Sequence, residues 1–223
     1  MLKAVLLDID GTLVASNDAH AKAWADALRD FGYDRDVEQI RRWIGMGGDK
    51  ILPRVDKRLD DENDPGKAIL KLRLKIFMQR YAPNLKPAPG AAALLDRLRA
   101  SGVLRVAATS AKEAEFKKIT EAAGIADRID LATTADDAER SKPDADIVRA
   151  ALEKAGTTAA HAVYLGDTPY DVVASHKAGV PIVALRCGGW GAAELRDADA
   201  IYEDPEELLR EFERSPIGER LGS

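Results

Sequence analysis

The sequence lacks the features that mark a secreted, membrane-embedded or nucleic-acid-binding chain. It has a single cysteine, Cys187, so no internal disulfide can form, and its first residues run into an apolar, strand-like stretch without a signal-peptide pattern. The expectation is a cytoplasmic protein. The longest apolar runs, at 4–7 and 91–95, fall far short of the roughly 20 residues that span a bilayer, so no membrane segment is expected. There is no surplus of basic charge: 33 Lys and Arg stand against 38 Asp and Glu, a net charge of -5, with the cations scattered along the chain. That balance leaves out the electrostatic footprint of a nucleic-acid binder and makes a small molecule the expected partner. No tract is compositionally biased, and 46% hydrophobic with 32% charged residues is the make-up of an ordinary globular protein. A length of 223 residues suits one large domain or a core with a smaller insert.

What is present is an alternation of short aliphatic runs with helical patterns. Strands are expected at 3–8, 104–109, 162–166, 181–185 and 200–202, and helices at 90–101, 113–123, 144–155, 170–178 and 205–213. Several helices end at a glycine (Gly102, Gly124, Gly156, Gly179) able to take the left-handed terminating conformation. Such alternation predicts an α/β fold, a Rossmann-like parallel sheet with helices on both faces. The stretch from 15 to about 82 breaks the rhythm with helical patterns only. Trp24, Ala27, Leu28 and Phe31 repeat at helical spacing and stop at Gly32, and Ile69, Leu72, Ile76 and Tyr81 mark a second long helix ending before Pro83. The division expected is a core of 1–14 with 88–223 and a small helical cap at 15–87. Its hinges would lie at 14–17 and in the proline-rich 83–90.

The chemistry-bearing residues fall at the expected strand ends. Leu6-Leu7-Asp8-Ile9-Asp10-Gly11-Thr12 is an apolar strand closing on two carboxylates one residue apart, which share a face beyond the carboxyl end of the strand. A bare pair of this kind is also how an acidic turn reads. Thr109-Ser110 closes the second expected strand, where a hydroxyl and free backbone N–H groups can hold phosphate oxygens or simply cap a helix. Lys142-Pro143 precedes a helix, and its amine could neutralise nucleophile and phosphate together. Gly166-Asp167-Thr168-Pro169-Tyr170-Asp171 adds two more carboxylates at a glycine turn after an apolar strand. Magnesium takes oxygen ligands and few of them from protein, so Asp8, Asp167 and a backbone carbonyl would suffice.

In this order the four motifs are the signature by which the chain resembles the haloacid dehalogenase superfamily, and the insert resembles that family's small C1-type cap. The resemblance covers nearly the whole chain and is nearest to the phosphoglycolate phosphatases and β-phosphoglucomutase-like enzymes. It implies a magnesium-dependent phosphatase that hydrolyses a small phosphorylated metabolite. Asp8 would be the nucleophile and Asp10 the general acid and base. Thr109, with Ser110, would bind phosphate and Lys142 would stabilise charge, while Asp8, Asp10, Asp167 and Asp171 would form the metal site. Asp8 would attack phosphorus to give an aspartyl-phosphate, with Asp10 protonating the leaving alcohol and then activating water.

The insert offers His20, Arg41, Arg42 and Lys50 as possible contacts to substrate, with Lys50 favoured. A sugar phosphomutase is the alternative enzyme. Gly48 and Gly166 stand where the mutase pattern carries an arginine and a glutamate, and both departures favour a hydrolase. A receiver-type binding module is disfavoured by the insert, the length and the Asp8-to-Thr12 motif, and a non-catalytic relative that merely binds a phosphorylated ligand by the presence of every motif residue. A dehalogenase is disfavoured by Asp10, since a leaving halide needs no acid. Neither the substrate nor the oligomeric state is written in these motifs.

Overall fold

The computed structural model describes residues 1–222. Six parallel strands form one sheet in the order β3-β2-β1-β4-β5-β6. They are β1 (Ala4–Leu7), β2 (Leu104–Ala108), β3 (Leu131–Thr133), β4 (Ala162–Gly166), β5 (Ile182–Leu185) and β6 (Ala200–Tyr202). Between β1 and β2 lie α1 (Asn17–Asp30), α2 (Val37–Arg41), α3 (Gly48–Val55), α4 (Gly66–Ile76) and α5 (Ala91–Ala100). The remaining crossovers carry α6 (Glu113–Ala122), α7 (Asp146–Lys154), α8 (Pro169–Lys177) and the short α9 (Ala192–Leu195), and the chain closes with α10 (Pro205–Arg210) and α11 (Pro216–Leu221).

All four residues of β1 are fully buried, as a strand covered on both faces must be. Side chains alternate across a strand, so Val5 and Leu7 enter one hydrophobic cluster and Ala4 and Leu6 the other. The strand order reverses at β1, and this places a crevice beyond its carboxyl end. Register aligns the crevice walls: Leu7 is level with Ala107 of β2 and with Leu165 of β4. The residues just past these positions are Asp8, Ala108-Thr109 and Gly166-Asp167.

The expected strands are all present, trimmed by a residue or so at their ends. β3 was not expected. Leu131–Thr133 is a three-residue edge strand, too short to display an alternating pattern, and it is defined by its pairing with Val106 to Ala108 rather than by its own composition. The helix expected at 69–81 runs as α4 and then widens into a π-turn at Phe77–Tyr81.

The segment from α1 to α4 packs on the crevice side of the sheet, with α1 and α4 against one another. The chain leaves and returns through two extended segments that hold each other: Val14 bridges Pro87 antiparallel, Ala15 N–H donates to Lys86 O at 3.0 Å, and Ala88 N–H donates to Leu13 O at 2.8 Å. Gly11 takes φ +86° so that its N–H can close the intervening turn on Val14 O at 2.8 Å.

Candidate active site

Asp8 follows the central strand directly and is 3% exposed. One of its oxygens is contacted by Lys142 Nζ, and the other lies 3.2 Å from Thr12 Oγ1. Lys142 is fully buried and reaches a second carboxylate, Asp171, at 2.7 Å. Asp171 sits at the third position of α8, where its Oδ2 accepts from Thr168 N–H at 3.0 Å and from Thr168 Oγ1 at 2.7 Å in a capping box. Its Oδ1 accepts from Tyr164 Oη at 3.2 Å. The local need to cap α8 therefore aims the carboxylate that fixes Lys142.

Asp167 is fully buried. It accepts from Asn17 Nδ2 at 3.0 Å, and Thr12 Oγ1 stands 3.0 Å from its other oxygen, able to give its single proton either there or to Asp8. Glycine is required around it: a Cβ on Gly188 would lie 1.7 Å from Asp167 Oδ2, and one on Gly11 would lie 2.3 Å from the same oxygen. Asp8, Asp167 and Asp171 offer oxygens all within 4.8 Å of one another, a group able to hold a metal ion.

The charge balance of this group favours a cation. Three buried carboxylates face one buried ammonium, and like charges held this close disfavour joint ionisation. Burial pushes the Asp8 carboxyl up to about 7, with Lys142 pulling it down and Asp171 and Asp10 adding to the rise. Burial, with Asp8 and Asp171 alongside, raises Asp167 well above the usual carboxylate range. Burial works against the charge on Lys142 as well, yet Asp171 and Asp8 leave its amine well above the ordinary lysine range. A divalent cation would supply the missing positive charge, and Asn17 Oδ1, buried beside this group without a partner among the described residues, is an acceptor that a hydrated ion would satisfy. The residues present fit such an ion.

Asp10 turns the other way. It follows Ile9 onto the turn, where Ser16 Oγ donates to its Oδ1 at 2.5 Å and His20 Nε2 lies 2.8 Å from the same oxygen. Burial opposes its charge, but His20, Ser16 and Arg73 prevail and hold the carboxyl below its usual range. Its side chain is thus outside the metal-holding group in which the motif placed it alongside Asp8, Asp167 and Asp171, because α1 supplies closer partners.

Asp10 and Asp8 together floor a small pit of about 30 Å³, walled by Thr109, Ser110 and Ala111 from the core and by His20, Trp24, Gly45 and Arg73 from the insert. Thr109 Oγ1 accepts from Ala111 N–H at 3.1 Å, and Ser110 Oγ donates to Gly45 O at 3.3 Å. Lys50 is not among the walls: its ammonium pairs with Asp144 at 3.0 Å, tying α3 to the core. Arg41 and Arg42 likewise leave the pit. Arg41 Nε donates to Asp18 at 2.5 Å, while Arg42 pairs with Glu194 and covers the Trp190 ring at 3.6 Å.

The cation that does reach the pit is Arg73, which the sequence reading passed over. It pairs with the buried Glu115 at 2.5 Å and lies 3.3 Å from His20 Nδ1, 53 residues away in the chain. In Lys71-Leu72-Arg73-Leu74-Lys75 it reads as one more solvated charge on a helix, and no local signal sets it apart.

Residues 5–185 match the family described as haloacid dehalogenase-like hydrolase. Phosphoglycolate phosphatase of Rhodospirillum rubrum is 34% identical over 201 residues, covering 84% of this chain and 81% of that protein. Among solved structures, a hydrolase from Pseudomonas syringae superposes with a TM-score of 0.88 at 28% identity, covering 96% of this chain and 99% of that one. β-Phosphoglucomutase from Clostridium difficile shares the fold, with a TM-score of 0.84 at 17% identity over 100% of this chain and 98% of that one.

Proposed function

Given that the chain belongs to the haloacid dehalogenase-like hydrolase family and is a hydrolase of phosphoric monoester bonds, we propose that it is a magnesium-dependent phosphatase working through an aspartyl-phosphate on Asp8. The observation that carries this reading is the placement of Asp8. Its carboxylate stands beside the buried Lys142 amine and within the acidic group of Asp167 and Asp171, while the Asp10 carboxylate two residues on is held apart by His20 and Ser16.

Phosphoryl transfer needs an in-line nucleophile and neutralised charge more than elaborate bond-making by the protein. Lys142 offsets charge on Asp8 and on the incoming phosphate, and Asp171 keeps that amine in place. Magnesium held by the Asp8 and Asp167 carboxylates would supply further positive charge to the phosphoryl oxygens. Thr109 and Ser110 would hold those oxygens from the core side.

Asp8 attacks phosphorus as the ester oxygen departs, and Asp10 gives that oxygen a proton. A substrate dianion entering beside Asp10 raises its proton affinity, which suits it to this first step. In the second step Asp10 takes a proton from water, the water oxygen bonds to phosphorus, and the Asp8–phosphorus bond breaks to release phosphate. The helical insert serves as a lid, keeping bulk water from the first step and admitting one molecule for the second. Small phosphate monoesters are the substrate class, with phosphoglycolate a first choice by the relative named above.

The test is release of phosphate from phosphoglycolate, hexose phosphates and nucleoside monophosphates, with magnesium and with chelator. Magnesium-dependent release lost in Asp8→Asn is expected; substantial activity left in Asp8→Asn overturns the assignment.

A further inference from the structure

Two buried N–H donors remain unpaired at one place in the site. Trp24 Nε1 and Arg73 Nε have no hydrogen-bond partner among the described residues, although each is buried. A buried donor left without an acceptor is destabilising, so a pair of them invites a ligand to complete it. Trp24 comes from α1 and Arg73 from α4, with the guanidinium carbon 5.5 Å from the indole centroid. Both line the pit beside Asp10, and both line the larger cavity of about 550 Å³ that leads outward from it between insert and core. The leaving group of an ester bound in the pit would lie against them.

The chemistry here is one-sided. Arg73 is clamped by Glu115 and His20 through its terminal nitrogens, which leaves the buried Nε without a partner among the described residues and spends Glu115 as an acceptor. Indole and guanidinium nitrogens donate and do not accept. An ionised carboxylate accepts and does not donate, and the Arg73 charge favours it further.

We propose that Trp24 Nε1 and Arg73 Nε are the specificity-determining donors that read a carboxylate on the leaving group. The chain would therefore select phosphate esters of hydroxy acids over esters of plain alcohols. Lys67, Lys71 and Lys112 line the outer cavity together with Asp49, Asp61, Asp136 and Glu139, so the approach is of mixed charge and the selection falls to the two donors.

This inference rests on the phosphatase reading, and its test separates the two. In the full chain carrying Asp8→Asn, with magnesium present, calorimetry compares phosphoglycolate with ethyl phosphate, which has the same carbon count and no carboxylate. Phosphoglycolate is expected to bind at least about tenfold more tightly. Adding Trp24→Phe, which removes the N–H and keeps a ring, or Arg73→Lys, which keeps the charge and removes Nε, should each cut that preference about five- to tenfold, as loss of one charge-assisted or buried hydrogen bond does. If the parent shows no preference, or if both esters weaken in parallel in both variants, the inference fails and the two residues are only packing. Should Trp24→Phe not fold, judged by circular dichroism, Arg73→Lys decides alone. The phosphatase reading fails separately, by the Asp8-intact chain releasing no phosphate from either ester.

Discussion

The Arg42 guanidinium lies 3.6 Å from the centroid of the Trp190 ring, joining the helical insert to the loop after β5. The same arginine pairs with Glu194, its carbonyl accepts from Tyr170 Oη at 2.7 Å, and Tyr170 meets Trp190 edge to face at 5.9 Å. The loop Cys187-Gly188-Gly189-Trp190-Gly191, which has no reading from sequence alone, is thus one of the core's docking surfaces for the insert.

Arg42→Ala should loosen this docking. An exposed cation–π contact contributes about 0.5–1 kcal/mol, so KM should rise about two- to fivefold with kcat little changed. Steady-state kinetics on the best ester of the panel checks it, and Trp190→Leu should reproduce the effect.

Gly188→Ala should damage metal binding without unfolding the chain. The new methyl would fall 1.7 Å from Asp167 Oδ2, and that side chain must then move. The expected outcome is at least a tenfold rise in the magnesium concentration needed for half-maximal activity, the scale on which altered support of a metal ligand acts. An unchanged magnesium titration would show that Asp167 does not hold the ion.

Lys142→Ala removes the ammonium that, alone among the described residues, pairs with Asp8 and Asp171. Stripping one partner from a buried charge set costs about 3–5 kcal/mol, so the variant should unfold at markedly lower urea at pH 8. At pH 5 the deficit should shrink, because the carboxyls left behind can take up protons.

The raised Asp8 carboxyl makes metal-free stability fall as pH rises. With a folded value of about 7 against an ordinary 3.8, the folded chain holds the extra proton between these limits, so stability is lost on going from about pH 4 to pH 7. Compared with Asp8→Asn, which cannot titrate there, the wild type should lose on the order of 4 kcal/mol across that window in chelator. Magnesium should abolish the difference, since it favours the ionised form. Paired thermal melts at about pH 4 and about pH 7.5 measure this directly.

The central strands β1, β4 and β5 were legible because each is a buried aliphatic run, and parallel strands covered on both faces must read that way. The catalytic candidates were legible for a related reason. Asp8, Thr109 and Asp167 each follow a recognisable strand, so naming the strands already places their ends on one edge of the sheet. Lys142 could be listed but not placed. Its amine is aimed by Asp171, whose own orientation comes from capping α8 with Thr168.

The helical insert was legible only as helices. Its 3.6-residue periodicity says which faces are apolar, but the partner each polar residue meets depends on how α1 and α4 pack across distances that periodicity does not encode. Lys50, the favoured contact, turned to Asp144, and Arg73, hidden in an alternating run of lysine and leucine, turned inward to Glu115 and His20. The sequence by itself determined five of the six strands, the acidic edge and the family, since these rest on local patterns with short-range causes, while β3 exists through its pairing with β2. The tertiary structure alone decided which cations face the substrate and which tie the insert to the core, because a charged side chain on a helix carries no local mark of what will be packed against it.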